Sequence, residues 1–137
     1  SIAHEVTTYG IDELDRAIAD GEAHGFVKVL TPPGSDRILG VTIVGEHAAD
    51  LLAEFTLAMK HGLGLNKILG TIHIYPTLAE ANKYAAGAWK RAQVTTGQQH
   101  VLKAFQAWQR GVGGFGAVLA SLPGLWRERK RAYPARE

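Results

Sequence analysis

The stretch ILGVTIVGEHAADLLAEFTLAMKHGL, residues 38–63, contains the change of hydrophobic period that decides the fold. Its first eight residues are apolar and rich in β-branched side chains, which is typical of a strand. Further on, the apolar positions recur at helical spacing, with an acidic residue early and a lysine late, as the helix dipole prefers. We therefore predict a strand over residues 37–44 and an amphipathic helix over residues 48–61, ended by Gly62 with Leu63 as its hydrophobic contact.

Three other segments have the composition of strands. Residues 5–9 alternate in a β-prone way, and residues 25–31 are a short β-branched run that ends in a Pro-Pro-Gly sequence. The second of these runs and the strand over 37–44 are predicted to form a hairpin with a loop of about five residues. Residues 71–75, TIHIY, are predicted to form a further strand, which Pro76 ends because proline cannot donate to a ladder.

Three further segments show helical spacing of their apolar residues, over residues 11–18, 77–90 and 101–112. In the first of them, Asp12 precedes Arg16 by four positions, and we expect the two side chains to pair. Strands and helices that follow one another in this order, with hairpin turns between the strands, indicate an α+β fold. We predict an antiparallel sheet of three to five strands with helices on one face, plus an extra C-terminal helical segment.

A polar stretch at residues 94–99 divides the chain into two predicted domains, 1–93 and 94–137. The first contains the predicted sheet and its covering helices. The second is a helical extension that ends in a basic tail. This tail carries the basic residues Arg127, Arg129, Lys130, Arg131 and Arg136.

The composition excludes several classes of function. The net charge is +2 over 137 residues, and no Lys/Arg face with interleaved aromatic residues precedes the tail, so we expect no nucleic-acid binding. The chain has no cysteine, and its histidines are too scattered for a metal motif, so we expect no metal site and no thiol chemistry of its own. It shows no secretory signal and no apolar run of the roughly 20 residues that span a bilayer, and we expect a cytoplasmic location.

Three motifs follow one another between residues 37 and 80: ILGVTIVG, AMKHGL and YPTLAE. With this ordered set, the stretch resembles the C-terminal dimerisation domain of the pyridine nucleotide-disulfide oxidoreductase family, which includes dihydrolipoamide dehydrogenase, glutathione reductase and mercuric reductase. ILGVTIVG at 38–45 looks like the family's penultimate hairpin strand, and AMKHGL at 58–63 looks like part of its interface helix. YPTLAE at 75–80 looks like the family's His-Pro-Thr-x-x-Glu signature. The resemblance extends over about residues 5–91, and the family's first interface strand has no counterpart in it.

The resemblance implies a homodimer within a parent enzyme whose upstream domains bind FAD and NAD(P)H and carry a redox-active cysteine pair. In the family, the His of the signature crosses the interface to act as acid and base for the partner's cysteine pair, and the Glu orients it. The resemblance thus implies Tyr75 and Glu80 as catalytic residues, and His73 and Pro76 as residues that contact the cofactor. The fragment alone is expected to bind no cofactor and to be inactive.

Tyrosine at position 75 departs from the family signature. A phenol with an ordinary pKa of about 10 exchanges a proton near neutrality far less readily than an imidazole at about 6.5. The departure puts the usual dithiol chemistry in question. Mercuric reductase similarly has a Tyr five residues before a Glu in this region, and this resemblance implies a metal ion or another acceptor that is not a dithiol.

Each of these residues also has a structural interpretation. Thr77 and Glu80 have the spacing of a capping box, in which both side chains satisfy amides at a helix start. Tyr75 is a common kind of interface residue, and the sequence around His73 favours a hydrogen-bonded structural histidine over a ligand. The apolar stripe of the helix over 48–61 is divided between the core and a contact across a two-fold axis.

Two questions stay open at the level of the whole chain. The basic tail is either a solvated end or a segment that lies on an anionic membrane surface. The alternative to a flavoenzyme domain is a stand-alone α+β dimerisation or binding module without redox activity, since the chain has neither cysteine nor a dinucleotide fingerprint.

Overall fold

The computed structural model describes residues 2–94 and 96–111, together with residues 116 and 120. The chain forms two compact units, Ser1–Arg91 and Ala92–Glu137. The first unit contains the sheet and the predicted site residues. The predicted basic tail falls outside the described residues.

A three-stranded antiparallel sheet forms the base of the first unit. Its strands, in the order in which they are paired, are β1 (Glu5–Gly10), β2 (Phe26–Thr31) and β3 (Gly40–Val44). Val27, Val29 and Thr31 of the central strand are buried, and the residues between them are partly exposed. One face of the sheet is therefore covered by the core. The predicted α+β fold with an antiparallel sheet of three to five strands is confirmed.

Helices supply the remaining regular structure. A short 3-10 helix over Ile11–Glu13 is followed by the helices α1 (Asp15–Asp20), α2 (Ala48–Lys60), α3 (Leu65–Gly70), α4 (Glu80–Ala92) and α5 (Thr96–Gln109). Within the part of the chain that the structure describes, no helix is both long and apolar enough to cross a membrane.

Helix α2 packs against β3 through the stripe that contains Phe55, which is completely buried. Its end is a Schellman motif, because Gly62 has a positive φ of 66° and the Leu63 amide donates to the Ala58 carbonyl at 2.8 Å. The Gly62 amide donates to the Met59 carbonyl at 3.2 Å. The prediction of this helix and of its cap is confirmed to within one residue.

The loop between β2 and β3 is longer than the predicted five residues. β3 begins at Gly40 instead of residue 37, and two residues before it, Asp36 and Ile38, make contacts outside the sheet. Ile38 enters the hydrophobic core. The Asp36 carboxylate accepts hydrogen bonds from the backbone amide of Asn66 at 3.2 Å and from its side-chain amide at 2.8 Å. The loop thereby holds the start of α3, a contact across 30 positions that no local pattern reveals.

The predicted strand over residues 71–75 is wrong. These residues form an extended loop with no ladder, and it ends at a cis peptide bond between Tyr75 and Pro76. Ile72 and Ile74 point outward, with exposures of 86% and 71%, whereas the His73 side chain points inward. The side chains of residues 72–74 therefore do alternate between outward and inward positions, but on the two sides of a loop and not on the two faces of a sheet.

The predicted helix over residues 11–18 is interrupted at Leu14, which has an extended backbone and a buried side chain. The predicted pair of Asp12 and Arg16 is also wrong. Because α1 begins at Asp15, Asp12 does not belong to the same helix as Arg16, which pairs with Asp20 one turn further on.

The second unit contains α5, which ends at Gln109 within the predicted helix over 101–112 but begins at Thr96, five residues earlier than predicted and inside the polar stretch at 94–99. Its larger apolar side chains, Leu102, Phe105 and Trp108, are exposed. Phe105 and Trp108 contact each other, with ring centroids 5.7 Å apart.

Candidate functional site

The residues of the predicted site lie on the loop between α3 and α4 and, for Glu80, at the start of α4, and His73 fixes this loop to α2. The His73 side chain is only 5% exposed, and its Nε2 atom lies 3.0 and 3.1 Å from the two carboxylate oxygens of Glu54. Its Nδ1 atom lies 3.1 Å from the Thr71 carbonyl oxygen. Both ring nitrogens are thus occupied within the chain, which favours the structural interpretation of His73.

A third side chain completes this network. The Asn82 side-chain amide on α4 donates at 2.9 Å to Glu54 and at 2.9 Å to the Leu51 carbonyl oxygen. Glu54 therefore joins the loop, through His73, to two helices at once. Since Asn82 is itself buried, the network holds the site loop firmly against α2 and α4.

We expect Glu54→Ala to lower the free energy of unfolding by about 1–3 kcal/mol, because it removes the acceptor of two largely buried donors. Urea unfolding of the 137-residue chain measures this loss. Glu46→Ala, at an exposed position, is the matched control and should change stability by no more than about 0.5 kcal/mol. Equal losses in the two variants would show that the network contributes nothing.

Glu80 opens α4, three residues later than predicted. One of its oxygens accepts the Thr77 backbone amide at 3.3 Å, which is one arm of the predicted capping box. The other arm is absent, because the Thr77 hydroxyl donates to the Ile74 carbonyl at 2.6 Å. The Glu80 amide is bonded to the Thr77 carbonyl at 3.3 Å, and this tight turn delays the regular helix. Both predictions, the helix start at residue 77 and the two-armed box, are therefore corrected.

Tyr75 is 65% exposed, and its phenol points at α1. The hydroxyl donates a hydrogen bond of 2.9 Å to Oδ2 of Asp15, the first residue of that helix. This hydrogen bond and the charge of Asp15 raise the pKa of Tyr75 above its ordinary value of 10.0. The phenol is consequently neutral at neutral pH, and its proton is directed at Asp15.

Glu80 does not orient Tyr75 by a hydrogen bond. Its second carboxylate oxygen lies 3.4 Å from the hydroxyl of Tyr84, one helical turn further along α4. The negative charge of Glu80 is the main cause that raises the pKa of Tyr84. The structure thus brings the two predicted catalytic residues into one neighbourhood, with different direct partners.

A cleft of about 240 Å³ lies beside Tyr75 and is lined by three tyrosines, three carboxylates and Arg91. The rings of Tyr9 and Tyr84 lie 5.5 Å apart, centroid to centroid. Burial, followed by the charge of Glu13, raises the pKa of Tyr9. The cleft therefore offers neutral hydroxyl groups and carboxylates to a ligand. Among the residues that the structure describes, no group of three or more His, Asp or Glu side chains is arranged to hold a metal ion.

Sequence reasoning missed Asp15, Tyr9 and Tyr84 as members of this site. Tyr84 follows Glu80 by four positions, so helical spacing was a usable signal. Asp15 meets Tyr75 across 60 positions, and Tyr9 comes from a strand. No spacing in a single sequence reports such encounters.

A second surface feature lies on α2, opposite its buried stripe. A shallow groove of about 320 Å³ is lined by Ala49, Leu52, Ala53, Thr56, Leu57 and Lys60. Leu57 is 58% exposed. The predicted stripe is therefore divided, because Leu51 and Phe55 are buried while Leu52 and Met59 are exposed. The small side chains beside the leucines allow a close approach of another helix.

The match to known sequences covers the first unit. Residues 1–86 match the family described as pyridine nucleotide-disulphide oxidoreductase, dimerisation domain. The chain is 42% identical over 87 residues to dihydrolipoamide dehydrogenase of Chaetomium thermophilum, and this alignment covers 64% of the chain and 17% of that protein. It is 41% identical over 76 residues to dihydrolipoyl dehydrogenase of Chlamydia trachomatis, covering 56% of the chain and 16% of the relative.

Solved structures agree with the fold. LpdA from Mycobacterium tuberculosis superposes with a TM-score of 0.61 at 23% identity, over 69% of this chain and 20% of its own. The HOCl-induced flavoprotein disulfide reductase RclA from Escherichia coli gives a TM-score of 0.59 at 17% identity, with the same coverage of 69% and 20%. Together with the match over residues 1–86, the ordered strands and helices establish that this chain belongs to the pyridine nucleotide-disulphide oxidoreductase dimerisation-domain family.

Proposed function

We propose that this chain pairs two subunits of an FAD- and NAD(P)H-dependent oxidoreductase and that it places Tyr75 at the acceptor pocket of the partner subunit. Family membership supports the pairing, and the names of the relatives support the redox activity. The chain spans only 17% and 16% of the curated relatives' length, so the parent's upstream domains would hold both cofactors. The observation that carries the proposal is the outward position of Tyr75 within the signature sequence.

The residues described here do not fit a dinucleotide by themselves. The cleft beside Tyr75 contains the carboxylates of Glu13, Asp15 and Glu80, which would repel a pyrophosphate group. Neither cysteine nor a dinucleotide fingerprint occurs in the chain. The role left to Tyr75, Glu80 and Pro76 is to complete one wall of a pocket whose other walls belong to the partner, while His73 holds the loop in place.

The groove on α2 is the proposed contact between the two subunits. Its lining is apolar apart from Thr56 and Lys60, and it contains small side chains at Ala49 and Ala53, which suit helix packing at short distance. In a two-fold dimer the same patch occurs on both subunits, so a patch that is self-complementary is required. A stripe of alternating small and large apolar residues on one helix meets that requirement.

The neutral phenol limits the chemistry at the site. Because the pKa of Tyr75 is raised, its hydroxyl gives a hydrogen-bonding group near neutral pH and does not shuttle a proton as an imidazole does. We propose that the acceptor is accordingly not a dithiol. A metal ion or a small oxidised molecule that is bound and oriented through the phenol fits this arrangement.

The boundary of the pairing domain is a further part of the proposal. The family match ends at residue 86, and α5 belongs to the second compact unit. We assign residues 1–93 to the dimerisation domain and residues 94–137 to an extension of separate purpose.

Tyr75→Phe in the full-length parent enzyme is expected to lower turnover by roughly tenfold or more, the effect of losing about 1.4 kcal/mol of hydrogen bonding in the transition state. The dimer should persist, because the substitution removes only an exposed hydroxyl. Steady-state kinetics with dithiol and non-dithiol acceptors, together with sedimentation, measures both.

Tyr75→His is the companion variant, since it restores the family signature. It is expected to introduce a dependence of rate on pH near neutrality that the wild type lacks. Unchanged kinetics of Tyr75→Phe with every acceptor would reduce Tyr75 to a packing residue and overturn the proposed role.

A further inference from the structure

The carboxylate of Glu80, the acidic residue of the family signature, already has hydrogen-bond partners. Both oxygens of Glu80 are used near its own helix, one by the Thr77 amide at 3.3 Å and one by the Tyr84 hydroxyl at 3.4 Å. Glu80 is also buried, so its side chain has little freedom to turn toward Tyr75. The phenol therefore needs another group to fix its direction.

Asp15 is in the position to do so. Its Oδ2 atom accepts a hydrogen bond from the Tyr75 hydroxyl, with 2.9 Å between the two oxygens, which is within the normal range for an O–H···O hydrogen bond. Asp15 is the first residue of α1 and follows Leu14, and the side chains of Leu14 and Ala17 are buried in the core. The carboxylate is exposed, but the backbone that carries it is held firmly.

We propose that Asp15, and not Glu80, is the positioning residue that aims the Tyr75 hydroxyl in the pocket of the partner subunit, an inference that rests on the proposed function above. Because the Tyr75 hydroxyl donates its hydrogen bond to Asp15, the phenol oxygen presents its lone pairs to the ligand. The ligand group that meets it is a hydrogen-bond donor or a cation. An anionic group is disfavoured, because three carboxylates, those of Glu13, Asp15 and Glu80, line the cleft against the single positive charge of Arg91 in the same lining.

The direct test is a titration of each tyrosine in the 137-residue chain by NMR of ¹³Cζ-labelled tyrosine, with the Tyr75 signal assigned through Tyr75→Phe. The variants are Asp15→Asn, Asp15→Ala and, as the matched comparison, Glu80→Gln. Asp15→Asn and Asp15→Ala should each lower the Tyr75 midpoint toward that of a free phenol, and by more than Glu80→Gln does. Far-UV circular dichroism verifies that each variant is folded, and Asp15→Asn keeps the shape of the side chain if Asp15→Ala does not fold.

The second test uses the parent enzyme. Asp15→Asn should lower turnover in the same direction as Tyr75→Phe, and the double variant should equal Tyr75→Phe alone, because both changes act through one hydroxyl. An unchanged Tyr75 midpoint in both Asp15 variants, a larger shift in Glu80→Gln, or additive losses in the double variant would overturn the inference. The titration needs neither a dimer nor a cofactor. A negative titration result would therefore overturn the role of Asp15 without affecting the kinetic test of Tyr75→Phe. Unchanged kinetics of Tyr75→Phe would overturn the proposed function without affecting the titration.

Discussion

Exchanging Ala53 and Leu57 for glutamate together should turn a dimer of this chain into a monomer. Both side chains line the exposed groove of α2, and neither belongs to the buried stripe that contains Phe55. The fold should therefore survive the double substitution. In a two-fold contact, each added carboxylate would face the same patch on the other copy, where it finds no cation except Lys60 at the end of the groove.

Burying such unpaired charges costs several kcal/mol, and about 1.4 kcal/mol corresponds to a tenfold change in affinity. We therefore expect the dissociation constant to rise by roughly 100-fold or more. Sedimentation equilibrium over a range of concentrations measures it. Ile18→Glu is the matched control, since it places the same charge at an exposed apolar position on α1, away from the groove. A wild-type chain that stays monomeric at high concentration, or a double variant that sediments like the wild type, would remove α2 from the interface.

The parts of the fold that the sequence predicted are those fixed by neighbours in the chain. The end of α2 is an example, because Gly62 and Leu63 form their bonds to carbonyls within five positions. The hairpin of β2 and β3 and the helix pattern of α2 also follow from short-range periodicity, whereas the pairing of β1 with β2 was not predicted. The resemblance to the family was likewise recognised from an ordered series of local sequence matches.

The errors have a common physical cause. The alternation of residues 71–75 is that of a strand, but whether a strand forms depends on a partner to pair with, and the loop is instead held by the bond between His73 and Glu54. Likewise the loop before β3 is lengthened by Asp36, which binds Asn66 across 30 positions. Side-chain hydrogen bonds between distant segments leave no period in the sequence.

In the candidate site, too, local features could be predicted from sequence and contacts between distant segments could not. The signature placed Tyr75 and Glu80 in one region correctly, since five positions separate them along one loop and helix start. The partner of each was not predictable, because the phenol reaches Asp15 on α1 and the carboxylate turns toward Tyr84. The region of the signature could thus be predicted from sequence, whereas the hydrogen-bond partners of its residues require coordinates.

Gly25→Ala is expected to destabilise the first unit by about 3 kcal/mol or more, through backbone strain and a steric clash acting together. Gly25 has a φ of 107°, which is a region that only glycine enters readily. A methyl group there would overlap the carbonyl group of Val44 at the end of β3. The backbone has little room to yield, because the Gly25 carbonyl accepts the Ile11 amide at 3.1 Å on its other side.

Gly21→Ala separates the two causes of this loss. Gly21 also has a positive φ, of 75°, but no atom lies within 4 Å of the position that its methyl group would take. Its substitution should therefore cost only the left-handed backbone, about 1 kcal/mol. Chemical unfolding of both variants gives the difference, which reports the close approach of Gly25 to β3. Equal losses of unfolding free energy in the two variants would mean that β3 moves aside without cost. The close approach of Gly25 to Val44 would then contribute nothing to stability.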